Sequence, residues 1–357
     1  MITLPAHLVA TPVLERLSGG SGGAVPEDPT GGRDSVGLEG RAGELEGAVL
    51  GAGDTAVWID LEGFVVVITT REVPLLPNAI ALSAASGTLV RAADGSRGPG
   101  RLGPGRVAVG ALRITWDPAA PPSWDPTVPV PTDASRAAVA ARGAALLDAL
   151  GSRPAPRVAG GVDTDGNPTR RSAPLPLRRP QQPRVVDAAA LVRELACIGM
   201  ATAADPDGAA GLTSLFHAVR ARDPAPAAAA VRELLGRGPG LTPEGDDLLA
   251  AVAGTLAVLG PPAGQDGPVL NAMLEALAPI PGRTTALSAT LLGLASDRRL
   301  PEPVGRLLDL TPAGEKAWPA ALARLERLGH GSGRAYAAGI AATACLLAPL
   351  DPPPPAP

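Results

Sequence analysis

The stretch 236–254, GRGPGLTPEGDDLLAAVAG, constrains this chain more than any other. A run of glycines meets a helix start there. Gly238 and Gly240 allow backbone conformations that a side chain forbids. Thr242 is a good N-cap residue, and Pro243 falls at the first helical position, where its missing N–H is no loss. Glu244, Asp246 and Asp247 then place three carboxylates in the first turn or just past it. Residues 248–259 are apolar enough to bury that helix. A helix start carries unpaired N–H groups and a partial positive charge, so it attracts anions. Capping accounts for Glu244 and for one aspartate. It accounts poorly for two adjacent aspartates, pointing about 100° apart on the helix, behind a glycine loop. The alternative is that the loop amides hold an anionic group while Asp246 or Asp247 binds a metal, accepts a proton or orients a donor.

The rest of the composition narrows the setting. The chain is 357 residues long, enough for two domains with a sizeable core. Only 2% of residues are aromatic, so that core is built from Ala, Leu and Val. A net charge of −4 gives no support to nucleic-acid binding, which usually shows a basic face. Cys197 and Cys345 both sit in apolar helical patterns and read as buried free thiols. No Cys/His spacing of a metal site is visible. The start, MITLPAHLVATPVLERL, lacks the basic lead and continuous apolar run of a signal peptide, and the longest apolar stretch, 335–350, is shorter than the roughly 20 residues of a membrane span. These features predict a soluble, cytoplasmic protein.

In chain order, residues 1–17 predict a short strand or helix, and 18–40 a mobile Gly-rich loop. Residues 44–116 read as β structure, with Val/Ile-rich runs at 56–60 and 64–70 and weaker strands at 79–82 and 88–91. Apolar residues alternate at Val107, Val109 and Ala111, then shift phase to Leu112, Ile114 and Trp116, which suggests a bulge near Gly110. Trp58 and Trp116 are assigned to the core of this β region. The fold class is therefore α+β: a small N-terminal β barrel or sandwich (1–116), a connector (117–131) and a C-terminal all-helical domain (132–350). Within the helical part, Thr132 or Asp133 caps a helix to about residue 150, and 151–185 is a disordered loop. Asp187 caps a helix to about residue 204. Further helices follow from 211 onward, and the tail 351–357 is disordered.

Two later stretches share the character of the central one. Residues 281–285 read PGRTT, with Thr284 or Thr285 as an N-cap and Arg283 able to pair with a carboxylate or phosphate. Residues 329–334 read GHGSGR, with Ser332 as an N-cap and His330 in a glycine setting that leaves it room to reach a ligand. Each alone is a common pattern. If the three helix starts converge, they form a polar pocket of amides, hydroxyls and one cation that suits a carboxylate, phosphate or carbamoyl group. His330 is then the proton carrier, set against the plain reading of a histidine bonding a helix end. No GK[ST] follows the glycines, and no β-rich unit surrounds them, so neither a Walker loop nor a Rossmann turn is present.

Together, GLTPEGDDLLAAVAG, the T-x-x-S within 284–288 and GHGSGRAYAAGI resemble the family that includes the AllH subunit of oxamate carbamoyltransferase. Members carry a close version of GLTP-x-GDD and a later G-H-x-S-G. The segment 77–80, PNAI, also fits, and the likeness spans most of the chain except 18–40 and 151–185. The resemblance implies a transferase subunit in purine-nitrogen catabolism (allantoin degradation). There a multi-subunit enzyme interconverts oxalurate plus phosphate with oxamate plus carbamoyl phosphate, and one partner subunit is similar to acyl-CoA synthetases. Relatives often have serine where this chain has Glu244. The extra charge weakens a simple phosphate reading and is compatible with a metal.

On this reading Asp246, Asp247 and His330 are the catalytic candidates. Gly238, Gly240, Leu241, Thr242, Arg283, Thr284, Thr285 and Ser332 hold a small anionic substrate. No cofactor is certain; a divalent metal such as Mg, if used, takes Asp246 and Asp247. Partners are the small anion and other subunits, with neither nucleic acid nor membrane involved. The rival reading is a non-catalytic small-acid-binding or scaffolding subunit. A third is a purely structural helical partner whose three loops are caps lying far apart.

Overall fold

The computed structural model describes residues 2–18, 44–84, 87, 89, 99–132, 135–152, 187–260, 267–277, 282–329 and 331–347. The segments predicted to be mobile or disordered (18–40, 151–185, 351–357) lie almost wholly outside these, as does most of the predicted strand at 88–91. Internal contacts divide the chain into two units, 1–126 and 127–357.

The first unit is a closed β barrel. Strands β1 (Ile2–Ala10), β2 (Leu45–Ala52), β3 (Ala56–Leu61), β4 (Phe64–Thr70), β5 (Ala79–Leu82), β6 (Gly100–Gly103), β7 (Arg106–Val109) and β8 (Leu112–Thr115) run in the order β5-β4-β3-β2-β6-β7-β8-β1. The ring closes because β1 pairs along its first half with β8, in parallel, and along its second half with β5, antiparallel. A short β9 (Ser123–Trp124) adds to β1. Closure removes the exposed edges that open sheets must otherwise protect. Val57, Ile59, Val66, Ile68, Leu102, Val107 and Ile114 fill the interior, joined by Val13 and Leu17 from helix α1 (Thr11–Leu17). The start of the chain is thus both a strand and a helix.

Two expectations need correction here. The phase slip at Gly110 is not a bulge. Val109 pairs with Leu112 across a two-residue hairpin loop, and Gly110 takes φ +55° at its first position. A tight turn shifts the apolar phase just as a bulge does, because both change which face the next residue meets. Trp58 is not in the core either. It is half-buried on the outer side and lies over Gly51 and Gly53, whereas Trp116 packs on the core as predicted.

The second unit is helical: α2 (Arg136–Gly151), α3 (Ala188–Cys197), α4 (Ala201–Ala204), α5 (Pro206–Ala221), α6 (Pro224–Leu234), α7 (Glu244–Leu259), α8 (Pro268–Leu277), α9 (Ala286–Ser296), α10 (Glu302–Leu308), α11 (Pro312–Leu325) and α12 (Ser332–Leu346). The fold is therefore α+β, barrel first and helices after, as the sequence pattern predicts. Ser135 caps α2 in place of Thr132 or Asp133. The single helix predicted from Asp187 to about residue 204 breaks at Gly199, which takes φ +90°. Cys345 is buried, but Cys197 is exposed, so the two thiols differ.

Helices α7 and α12 form the centre of this unit. Nearly every residue of each is buried. They approach closely because Gly339 of α12 lies against α7, where a Cβ would stand 2.7 Å from the Cβ of Ala251. Two buried arginines tie the bundle together. Arg142 donates to the Leu307 carbonyl and to Glu315 and lies over the Trp318 ring, 5.8 Å from its centre. Arg334 donates to the carbonyls of Leu150 and Ile198, at the ends of α2 and α3, and pairs with Glu326.

Candidate functional site

The loop before α7 is pinned at both ends. The Gly245 amide donates to the Arg237 carbonyl (2.9 Å), and Arg237 forms an ion pair with Asp205 (2.6 Å). Gly236 takes φ +74°, and a Cβ there would sit 2.0 Å from the Arg283 carbonyl oxygen. Only glycine lets the loop touch the segment that leads into α9. Helix α7 starts one residue later than predicted, with Pro243 at the N-cap position and no side-chain cap. Thr242 is therefore not a cap, and its hydroxyl is available elsewhere.

Asp246 and Asp247 are 2% and 3% exposed, deep for ionisable groups. Neither caps its own helix through its side chain. Asp246 Oδ1 accepts from the Gly236 amide (2.6 Å), and Oδ2 accepts from the Thr284 hydroxyl. The Ser288 hydroxyl lies close enough to lower the Asp246 pKa but forms no well-directed hydrogen bond. The hydroxyls of Ser332 and Thr242 face Asp247. Those two hydroxyls also share a hydrogen bond of 2.8 Å. One hydrogen lies between them, so one remains to offer the carboxylate. Thr285 caps α9 by accepting from the Ser288 amide (3.1 Å) and donates to the Leu241 carbonyl.

The starts of α7, α9 and α12 therefore meet at one polar junction, although 38 residues separate Thr284 from Asp246 and 90 separate Ser332 from Thr242. Their partial positive charges favour the buried carboxylates. Burial works the other way and prevails. It raises the Asp246 pKa against the hydrogen bonds from Thr284 and Gly236. It pushes Asp247 well above the usual carboxylate range, helped by the charges of Asp246 and Glu244 and opposed by Ser332 and Thr242. Tyr336, one turn into α12, is fully buried; burial and the charges of Asp247 and Asp246 hold its hydroxyl protonated.

The other predicted residues fall as follows. Ser332 opens α12 rather than capping it. Glu244 turns to α4, where it accepts from the amides of Ala201 (3.3 Å) and Thr202 (2.6 Å). Its carboxylate caps a neighbouring helix. Arg283 donates to the Arg232 carbonyl in the last turn of α6. Gly238 and Gly240 both take positive φ, and Leu241 is exposed at the loop tip. His330 lies outside the described residues. Among the described residues no three His, Cys, Asp or Glu side chains gather as a metal site.

Sequence reasoning missed Tyr336 and Arg334, both in the stretch GHGSGRAYAAGI. Tyr336 sits four residues after Ser332, the spacing that puts both on one helix face, and that periodicity could have exposed it. Nothing local signals the distant carbonyls that Arg334 satisfies.

The geometry defines a helical domain in which converging helix starts enclose a buried acidic pair. Residues 234–344, which contain the whole junction, match the family model described as oxamate carbamoyltransferase subunit AllH. No curated protein and no solved structure matches the chain. A family described as a subunit implies further subunits in a complex. Among the described residues no helix is long and apolar enough to cross a membrane.

Proposed function

We propose that this chain is a subunit of a carbamoyltransferase-type enzyme acting on oxamate, oxalurate or a related small amide-acid, and that the junction of α7, α9 and α12 is its ligand site. One observation carries this reading. Two carboxyl groups, buried and raised in pKa, are set where three helix starts meet, inside the segment that matches the AllH family model.

The chemistry follows from those groups. The amide nitrogen of oxamate attacks the carbonyl carbon of carbamoyl phosphate. A C–N bond forms, the C–O bond to phosphate breaks, and the nitrogen gives up a proton. A carboxylate with a raised pKa is a stronger base than an ordinary one and suits that proton. Asp247 takes this role, Asp246 orients the N–H groups, and His330 carries the proton onward. The tetrahedral oxyanion lies against the helix-start amides, with Thr242, Thr285 and Ser332 beside it. Arg283 offers a cation to the carboxylate or phosphate through donors other than the nitrogen that holds Arg232. No step is assigned to a metal. The pathway proposed is purine-nitrogen catabolism, in a cytoplasmic complex with a subunit similar to acyl-CoA synthetases.

A second reading has support in the same geometry. Glu244, Asp246 and Arg283 all bond to neighbouring backbone. Such groups can shape a site that binds a small acid without turning it over. Assay of the purified chain, with its partner subunits, for carbamoyl phosphate-dependent carbamoylation of oxamate separates the two. Turnover that Asp247→Asn abolishes while oxamate binding persists supports the enzyme. Absence of turnover with oxamate still bound supports the binding module.

A further inference from the structure

The outer wall of the barrel carries a second charged feature, in the unit outside the matched segment. The register sets Arg101 of β6 opposite Ala108 of β7, and Ala108 opposite Arg113 of β8. Leu102, Val107, Val109, Leu112 and Ile114 point inward and are buried, so these three residues share the outer face. Arg106 stands on the same face, two residues before Ala108. With strands roughly 4.8 Å apart, the two flanking arginines start about 10 Å from each other across an alanine. A methyl group cannot fill that span. A cavity of about 390 Å3 results, lined by the three arginines and Glu44, with Pro99, Ala108 and Gly110 completing it.

Three arginines and one glutamate line this cavity, and Glu46 beside it pairs with Arg101, which leaves a surplus of one positive charge on a chain whose net charge is −4. Arg101 pairs with Glu46 at 2.9 Å and Arg106 with Glu44 at 3.3 Å, and Arg113 is engaged as well, but all three are exposed, the side chains of Arg101 and Arg106 by 55% and 64%. Water-exposed pairs of this kind are weak and give way to a stronger acceptor. Guanidinium groups present paired donors in a plane. Three of them around one small floor match a tetrahedral anion with several oxygens better than a flat carboxylate, which one fork saturates. We propose that this face of the barrel is a binding site for a phosphoryl group of a small molecule, held by Arg101, Arg106 and Arg113.

The test is calorimetric titration of the full chain with inorganic phosphate, with pyrophosphate and with acetate. Saturable binding of phosphate or pyrophosphate, weakened by added salt, is the expected result. Arg101→Ala and Arg113→Ala each raise the dissociation constant by roughly tenfold or more, as loss of a charged hydrogen-bond pair does. Arg113→Lys recovers only part of it. Equal binding of the two probes assigns the free ion, and binding of pyrophosphate alone assigns a diphosphate ester. No saturable binding of either, acetate binding as tightly as phosphate, or binding that survives both alanine variants overturns the proposal. These side chains stand outside the barrel core, so circular dichroism should show the variants folded.

Discussion

Replacing Asp247 by asparagine changes how stability depends on pH, and the structure fixes the sign. The folded-state pKa of Asp247 lies well above the ordinary aspartate value of about 3.9, with burial the first cause. As pH rises past that value, the unfolded chain releases the proton while the folded chain keeps it. The folded state then binds more protons, so folding stability falls as pH rises, and the fall ends once pH exceeds the folded-state pKa. Within that window one group contributes a slope of up to about 1.4 kcal/mol per pH unit. Asparagine has the same shape and no proton to lose, so Asp247→Asn removes the slope. Urea unfolding, followed by the helical circular dichroism signal at a series of pH values, measures this directly. The variant should gain on the wild type progressively from about pH 4 upward. Parallel stability curves for the two proteins would refute the claim that burial raises the pKa of this carboxyl.

Further outcomes follow from the packing around the junction. Gly236→Ala places a side chain at φ +74° and 2.0 Å from the Arg283 carbonyl oxygen, so a loss of about 1–3 kcal/mol from the backbone alone is expected; a wild-type urea midpoint would contradict it. Arg334→Met strips donors from the buried carbonyls of Leu150 and Ile198 and from half-buried Glu326, with a cost of about 3 kcal/mol that lysine restores only in part. Full stability of that variant would show the arginine is dispensable. The two thiols should react differently, since Cys197 is exposed while burial pushes Cys345 up to about 12. A thiol reagent should modify one cysteine in the folded protein and the second only on unfolding; rapid modification of both would count against the buried position.

The parts of this fold that are local were readable from residues alone. Asp187 and Thr285 cap helices because a short polar side chain reaches the amide three positions ahead, and that reach is written in the sequence. The Val/Ile runs of β3 and β4 announce strands in the same way. What long-range pairing decides was not readable. The closure of the ring through β1 joins segments of similar apolar character, and nothing local selects one partner over another. Glu244 illustrates the limit within the site. By spacing it belongs to its own helix start, yet its carboxylate caps α4, 43 residues earlier. Asp246 and Asp247 were legible as unusual because capping needs only one of them. Which loops they hold became plain only with Gly236, Thr284 and Ser332 in place.

The account rests most directly on Thr242 and Ser332 meeting beside Asp247, and a disulfide measures that. Their hydroxyl oxygens lie 2.8 Å apart, which brings the two side chains within reach of each other for a cysteine pair. In a Cys197→Ser background, mild oxidation of folded Thr242→Cys/Ser332→Cys should yield the cross-linked peptide pair by mass spectrometry, with helicity retained. Thiols that remain free, or that bridge only after the protein is unfolded, would place the two helix starts apart and contradict the site.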